Sequence, residues 1–190
     1  MHEKFKNEIN YIKNERIRNS LITMLDKLPS YFYEVPASST GKYHPNYALG
    51  NGGLLRHTKA AVRIAKELLD NPSLNNFTSD EKDLIIMALT LHDGLKSGLV
   101  KSEYTLFEHP ILMSNFIKEE ESNLELNHDE IIFVSSLIET HMGPWTTNYK
   151  GEEVLTPPKT KGQRFVHMCD FLASRKFLEV NFDENNNILN

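Results

Sequence analysis

Along residues 3–28 the apolar side chains fall at Phe5, Ile9, Ile12, Ile17, Leu21, Met24, Leu25 and Leu28. This is close to the roughly 3.6-residue repeat of one amphipathic helix, and Pro29 stops it. A second helical pattern opens at Gly52-Gly53 and runs to about Asp70, with Leu54, Leu55, Ala61, Val62, Ile64, Ala65 and Leu68 on its inner face and Asn71-Pro72 at its end. Thr78-Ser79-Asp80-Glu81 has the form of a capping box and starts a third helix, Asp83 to about Leu91. Its Leu84, Ile85, Ile86, Ala88, Leu89 and Leu91 are apolar nearly all round, which predicts a central helix. A fourth begins at His109-Pro110, proline being suited to a first turn, and reaches about Glu121. A fifth spans Asp129 to about His141, closed by Gly143-Pro144. After a polar turn, a sixth covers Lys161 to about Glu179, and residues 181–190 read as a polar, frayed tail.

Between the first two helices, residues 29–52 form a long connection for a compact domain. Tyr31, Phe32, Tyr33, Tyr43, His44 and Tyr47 give it enough ring surface to predict an ordered, packed loop. No strand longer than a short pair is visible. The expectation is an all-α bundle of about six helices in a single domain, with an N-terminal helical extension over 1–28 and a core over about 35–176.

Composition narrows the function. A chain of 190 residues buries roughly 70% of its unfolded surface and needs no disulfides. A net charge of -5 excludes a sequence-independent nucleic-acid coat and disfavours long nucleic acid as a partner, although a local metal site can still bind phosphate on an acidic protein. The single Cys169 excludes a disulfide framework or a cysteine-rich zinc module. No stretch approaches the ~20 apolar residues of a membrane span. The charged start Met-His-Glu-Lys-Phe-Lys lacks the apolar centre of a signal peptide, so a cytoplasmic location and no membrane partner are expected.

The chemistry concentrates at helix ends. His92-Asp93 closes the most buried helix, where an unpaired ionisable pair costs several kcal/mol. His57 lies one turn into its helix, His109 begins one, His141 ends one, and Asp170 sits inward among Phe165, Val166, Phe171, Leu172 and Ala173. Nitrogen and oxygen donors without thiolates suit Mn, Fe, Ni, Co, Zn or Mg.

These residues resemble the HD-domain superfamily of metal-dependent phosphohydrolases, whose pattern is a histidine, a His-Asp doublet and a distal aspartate. They fall here on His57, His92-Asp93 and Asp170, with the flanks Gly-Gly-Leu-Leu-Arg-His-Thr at 52–58, Leu-His-Asp-Gly-Leu-Lys at 91–96 and Cys-Asp-Phe-Leu-Ala-Ser at 169–174. The stretch from Pro36 to His44 is similar to the approach to the first histidine in HD domains associated with 3′→5′ exonucleases. Binuclear members add two histidines, which His109 and His141 match in order and context. The resemblance then implies two divalent metals: one on His57, His92, Asp93 and Asp170, the other on Asp93, His109 and His141, with Asp93 bridging. Two such cations activate a water and hold phosphate oxygens, so no Ser or Cys nucleophile is required. Many members read His-Asp-x-Gly-Lys, whereas here Gly94 comes one place early and Lys96 keeps its spacing.

The implied activity is hydrolysis of a phosphoester or phosphodiester in a nucleotide or short oligonucleotide. Asp93 and Lys96 are the catalytic candidates, Lys96 as a counter-charge to phosphate. Arg56, Tyr43, His44 and Trp145 are the substrate candidates, each with a plain packing alternative. His167 fits a core histidine or a partner of the site, and Arg175 a solvated surface residue. Two other functions share the ligand set: a mixed-valent di-iron oxygenase and a non-catalytic sensor of a phosphorylated ligand.

Overall fold

The structure, a computed structural model, describes residues 1–38 and 40–178. It is all-α among those residues, apart from one isolated bridge pairing Thr147 with Glu153. Seven helices follow one another: α1 (Lys6–Ile9, entered through a 3₁₀ turn), α2 (Glu15–Lys27), α3 (Gly53–Asp70), α4 (Ser79–Leu91), α5 (His109–Glu119), α6 (His128–Glu139) and α7 (Lys161–Ala173). As its all-round apolar surface predicts, α4 is central. Every residue from Asp83 to Leu91 is buried, and the helix packs on α2, α3, α6 and α7.

The single helix expected over residues 3–28 is two. The apolar positions stay in phase across the break, and Phe5, Ile9, Ile12, Ile17 and Leu21 are all buried. The backbone nevertheless leaves the helix after Ile9. The buried Asp83 of α4 accepts hydrogen bonds from the Lys13 and Asn14 N–H groups (3.0 and 2.7 Å), and Asn14 then caps α2 through Arg16 N–H. A carboxylate from another helix thus takes the donors that a continuous helix would have used internally.

Other ends differ by a few residues. Thr78 and Glu81 form the expected capping box, and the helix begins at Ser79. α5 stops at Glu119 before a 3₁₀ turn at Glu121–Asn123. α6 starts at His128 because Asn127 and Glu130 make a second capping box, and it ends at Glu139. α7 ends at Ala173 rather than Glu179, with Ser174 N–H returning to Asp170 and Phe171 carbonyls. Glu179 and the tail at 181–190 lie outside the described residues.

The long connection is packed as expected over its first part. Phe32 and Tyr33 are buried against each other and against Phe5, and Tyr33 Oη–H donates to the Leu25 carbonyl. Its second part turns over the C-terminal end of α7, where Tyr47 Oη–H donates to the Ala173 carbonyl at 2.8 Å. No described helix is long and apolar enough to cross a membrane.

Candidate metal centre

Five helices deliver the six candidate ligands to one place. His57 is on the inner face of α3, whose start is fixed by Gly53. A Cβ there would lie 2.2 Å from the Ala48 carbonyl oxygen, so only glycine lets the loop close onto the helix. His92 and Asp93 follow the last turn of α4. His109 is the first residue of α5, His141 lies in the turn after α6, and Asp170 is in α7. The segment beyond the doublet is held by Tyr31, which donates to the Gly98 carbonyl (2.6 Å) and accepts from Ser97 N–H (3.0 Å). The early glycine has a packing reason: a Cβ at Gly94 would come within 2.8–3.0 Å of Leu28 and Met113. Lys96 still reaches Asp93 Oδ2, at 2.6 Å.

The ligand atoms fall into two groups that meet at Asp93. Asp170 Oδ1 is 2.9 Å from His57 Nε2 and 3.5 Å from His92 Nε2, and Asp93 Oδ2 is 3.5 Å from His92 Nε2 and 3.9 Å from His57 Nε2. On the other side, Asp93 Oδ1 is 3.0 Å from His109 Nε2 and 3.7 Å from His141 Nε2. All but Asp170 are almost completely buried, and Asp170 is 17% exposed where it faces the pocket.

The tautomers of three histidines follow from their partners. His92, His109 and His141 each donate Nδ1–H to the carbonyl three residues earlier, that of Leu89, Leu106 and Ile138, at 2.7–2.8 Å. A carbonyl can only accept, so a proton is on Nδ1, and a ring carrying only that proton presents an Nε2 lone pair to the centre. His109 and His141 aim those lone pairs at each other from 3.2 Å, beside Asp93 Oδ1. Three acceptors so close repel unless a cation or a proton lies between them. His92 Nε2, His57 Nδ1 and Asp93 Oδ1 are also buried without a hydrogen-bond partner, which native interiors rarely tolerate. A divalent cation fits this donor set. The fixed Nδ1–H donors are the outer partners that orient metal-ligating histidines.

Charge at both carboxylates and at His109 agrees with that fit. Burial would raise the Asp93 pKa, but Lys96, His92, His109 and His141 outweigh it and hold the carboxyl well below its usual range. Asp170 is likewise held well below, burial being overcome by His57 and His92. Burial pushes His109 down, toward the neutral form that ligates. His92 is raised, because Asp93 and Asp170 prevail over its burial. Cys169 is buried with its thiol pushed up by desolvation, so no thiolate joins the set.

Above the centre opens a cavity of about 180 Å³, whose walls include His44, Lys96, Trp145, His167, Phe171 and Arg175. Of the four substrate candidates, His44 and Trp145 line it. The His44 ring meets His57 edge-on at 5.4 Å, and its pKa is lowered to about 4 by burial and by the nearby His57 and Lys96. Tyr43 lies just outside, 5.4 Å from the Arg175 guanidinium.

Arg56 is a correction to the expectation. Its guanidinium is directed at the loop, donating to the carbonyls of Tyr47, Leu49 and Asn51, and is not part of the cavity wall. The neighbouring His57 points inward only because adjacent helical positions face different ways. Arg175 is the opposite correction. Read as a solvated residue, it is half-buried against aromatic rings on the cavity wall. His167 also lines the cavity, donating Nδ1–H to the His141 carbonyl at 2.7 Å. Their signal in sequence is slight: His167 precedes Asp170 by three residues and shares its helix face, whereas Arg175 lies five residues beyond it, past the end of α7, and neither position specifies partners on other elements.

The chain is similar to three proteins named 3′-5′ exoribonuclease YhaM. It is 30% identical over 176 residues to that of Shouchella clausii, covering 86% of this chain and 49% of the relative. The corresponding values are 27% over 186 residues, 92% and 52% for Halalkalibacterium halodurans, and 26% over 175 residues, 86% and 50% for Bacillus licheniformis. The chain thus spans about half the length of these relatives. It matches no protein-family model, and no solved structure matches it. The His-Asp doublet, its partner histidines and the distal aspartate, gathered in one all-α bundle, are consistent with the metal site of the HD-domain superfamily of metal-dependent phosphohydrolases, and these relatives support that recognition.

Proposed function

We propose that the chain is a metal-dependent phosphodiesterase acting on a short single-stranded oligonucleotide, RNA by analogy with the relatives, and that it holds two divalent cations. The observation that carries this is the division of Asp93: Oδ2 faces His57, His92 and Lys96, and Oδ1 faces His109 and His141. His57, His92, Asp93 and Asp170 would hold one cation, and Asp93, His109 and His141 the other. When bound, the pair supplies Lewis acidity toward a phosphodiester and its attacking water.

The chain's own groups do the rest. The three Nδ1–H locks keep the lone pairs in place before substrate arrives, so little reorganisation is needed. Lys96 holds Asp93 ionised and brings a positive charge to the cavity, where it opposes charge building on a phosphate oxygen. His44 stays neutral at neutral pH and offers a hydrogen bond at the mouth rather than a second positive charge.

The cavity favours a strand over an enclosed mononucleotide. Its roughly 180 Å³ is below the ~300–1,000 Å³ of pockets that surround a small-molecule ligand. On this reading the scissile phosphodiester enters the cavity and the remainder of the substrate lies on the rim. The net charge excludes a coat but not a strand presented end-first to a local cationic site.

The test is turnover, under anaerobic and aerobic conditions, of 5′-labelled RNA hexamers, cyclic nucleotides and nucleoside mono- and triphosphates with Mn²⁺. Oxygen-independent shortening of the hexamer with release of mononucleotides is expected. Turnover only with iron and oxygen would instead establish the oxygenase, and no turnover with intact metal sites the sensor.

A further inference from the structure

We propose that Arg175, Trp145 and Tyr43 form a strand-binding rim, in which the Arg175 guanidinium takes the phosphodiester next to the scissile one and the Trp145 indole stacks a neighbouring base. This rests on the phosphodiesterase reading and goes beyond it by naming the residues that select a strand over a mononucleotide.

The Arg175 guanidinium lies over the Phe171 ring at 4.1 Å, with Tyr43 at 5.4 Å and Trp145 at 5.6 Å. Packed against ring faces, a guanidinium keeps its N–H donors in its own plane, in the fork geometry that matches phosphate. Arg56, away from the cavity, shows what an arginine used for structure looks like in this molecule, with its nitrogens donating to three loop carbonyls. By contrast, Arg175 Nε is buried with no hydrogen-bond partner among the described residues. The guanidinium lines the same cavity as Lys96 and Asp170.

Trp145 stacks on Phe171 with ring planes 13° apart and centroids at 5.9 Å, an offset that leaves much of the indole open. It is 47% exposed and Tyr43 is 56% exposed. Exposed ring faces beside an arginine are the usual equipment for holding unpaired bases. The rim is also fixed relative to the metal centre. Asp170 and Arg175 leave the same end of α7, Ser174 N–H returns to the Asp170 carbonyl and Arg175 N–H to that of Leu172, and Tyr47 pins the loop to Ala173. A phosphate held by Arg175 would therefore stand at a set distance from one held at the centre.

Trp145 is the only tryptophan, so its emission reports on the rim. The Mg²⁺-loaded protein is titrated with phosphorothioate-linked hexa-adenylate, chosen to slow cleavage, and with adenosine 5′-monophosphate. The hexamer should quench Trp145 and bind at least tenfold tighter than the monophosphate. Arg175→Met, which keeps the apolar stem on Phe171, should weaken hexamer binding by tenfold or more and monophosphate binding by less than threefold. Should that variant fail to fold, Arg175→Lys replaces it; it keeps the charge without the fork and should fall between. Equal hexamer affinity in the wild type and the variant, or hexamer binding with no quench, overturns the rim. Because binding is read without turnover, a protein that binds through Arg175 yet cleaves nothing contradicts only the phosphodiesterase reading.

Discussion

On the floor of the pocket, His92, His109 and His141 each donate Nδ1–H to a carbonyl three residues back in their own chain. On the rim, Arg175 has its guanidinium over Phe171, four residues back, and beside Tyr43 and Trp145 from a distant loop and turn, with Nε unpaired among the described residues. The floor is preorganised by local bonds and buried, whereas the rim is assembled from a loop, a turn and a helix end, and is partly open. Floors of the first kind suit a fixed arrangement of lone pairs around cations. Rims of the second kind suit a substrate whose far end varies. His57 belongs to neither pattern. It sits inside α3 with Nδ1 unpartnered and is oriented by Asp170 Oδ1 instead.

The largest expected effect breaks the floor. Asp93→Ala removes the carboxylate that faces both ligand groups, and oligonucleotide turnover should fall by at least ~10³-fold, read as kcat at saturating Mn²⁺. Lys96→Ala leaves every candidate ligand in place. It should lower kcat by roughly 10²-fold with metal content intact, a loss confined to transition-state charge.

Metal removal should sharpen the same contrast. The floor joins five helices, so each cation at ~1,000 times its Kd stabilises by about 4 kcal/mol, or about 8 for the two. At ~2–4 °C per kcal/mol for a chain of this size, removing both should lower Tm by roughly 20 °C. An Arg175→Met protein should show the same shift, because the rim holds no cation.

The smallest effect is on acid stability and belongs to His44, between floor and rim. An unfolded imidazole takes up its proton near pH 6.5, and folded His44 refuses it until about 4. The unfolded state therefore binds more protons across that window, and stability falls as pH drops from about 6.5 toward about 4. His44→Gln should flatten this slope in urea titrations of the metal-free protein by about 1 kcal/mol per pH unit or less, partial exposure reducing the effect.

How legible each part is in the sequence follows from the range of its interactions. The doublet, the partner histidines and Asp170 stand at helix ends or on an inner helical face, and a bond to a carbonyl three residues away depends only on the local turn. The capping box at Thr78 and Glu81 is local too. Arg56 and Arg175 are less legible, because what an arginine meets depends on where the loop after Tyr43 and the turn at Trp145 come to rest. The first helix reads as continuous in the sequence because its apolar positions keep phase through the break. Only Asp83, about seventy positions away, takes the Lys13 and Asn14 donors and ends it.

The central claim is that Asp93 is shared by two cation sites, and metal stoichiometry tests it most directly. Protein reconstituted with Mn²⁺ and freed of excess metal should carry about two ions per chain by elemental analysis. His109→Ala/His141→Ala and Asp170→Ala should each retain about one, and Asp93→Ala should retain essentially none. A wild-type protein saturating at one ion, or an Asp93→Ala protein that keeps two, would contradict the shared carboxylate.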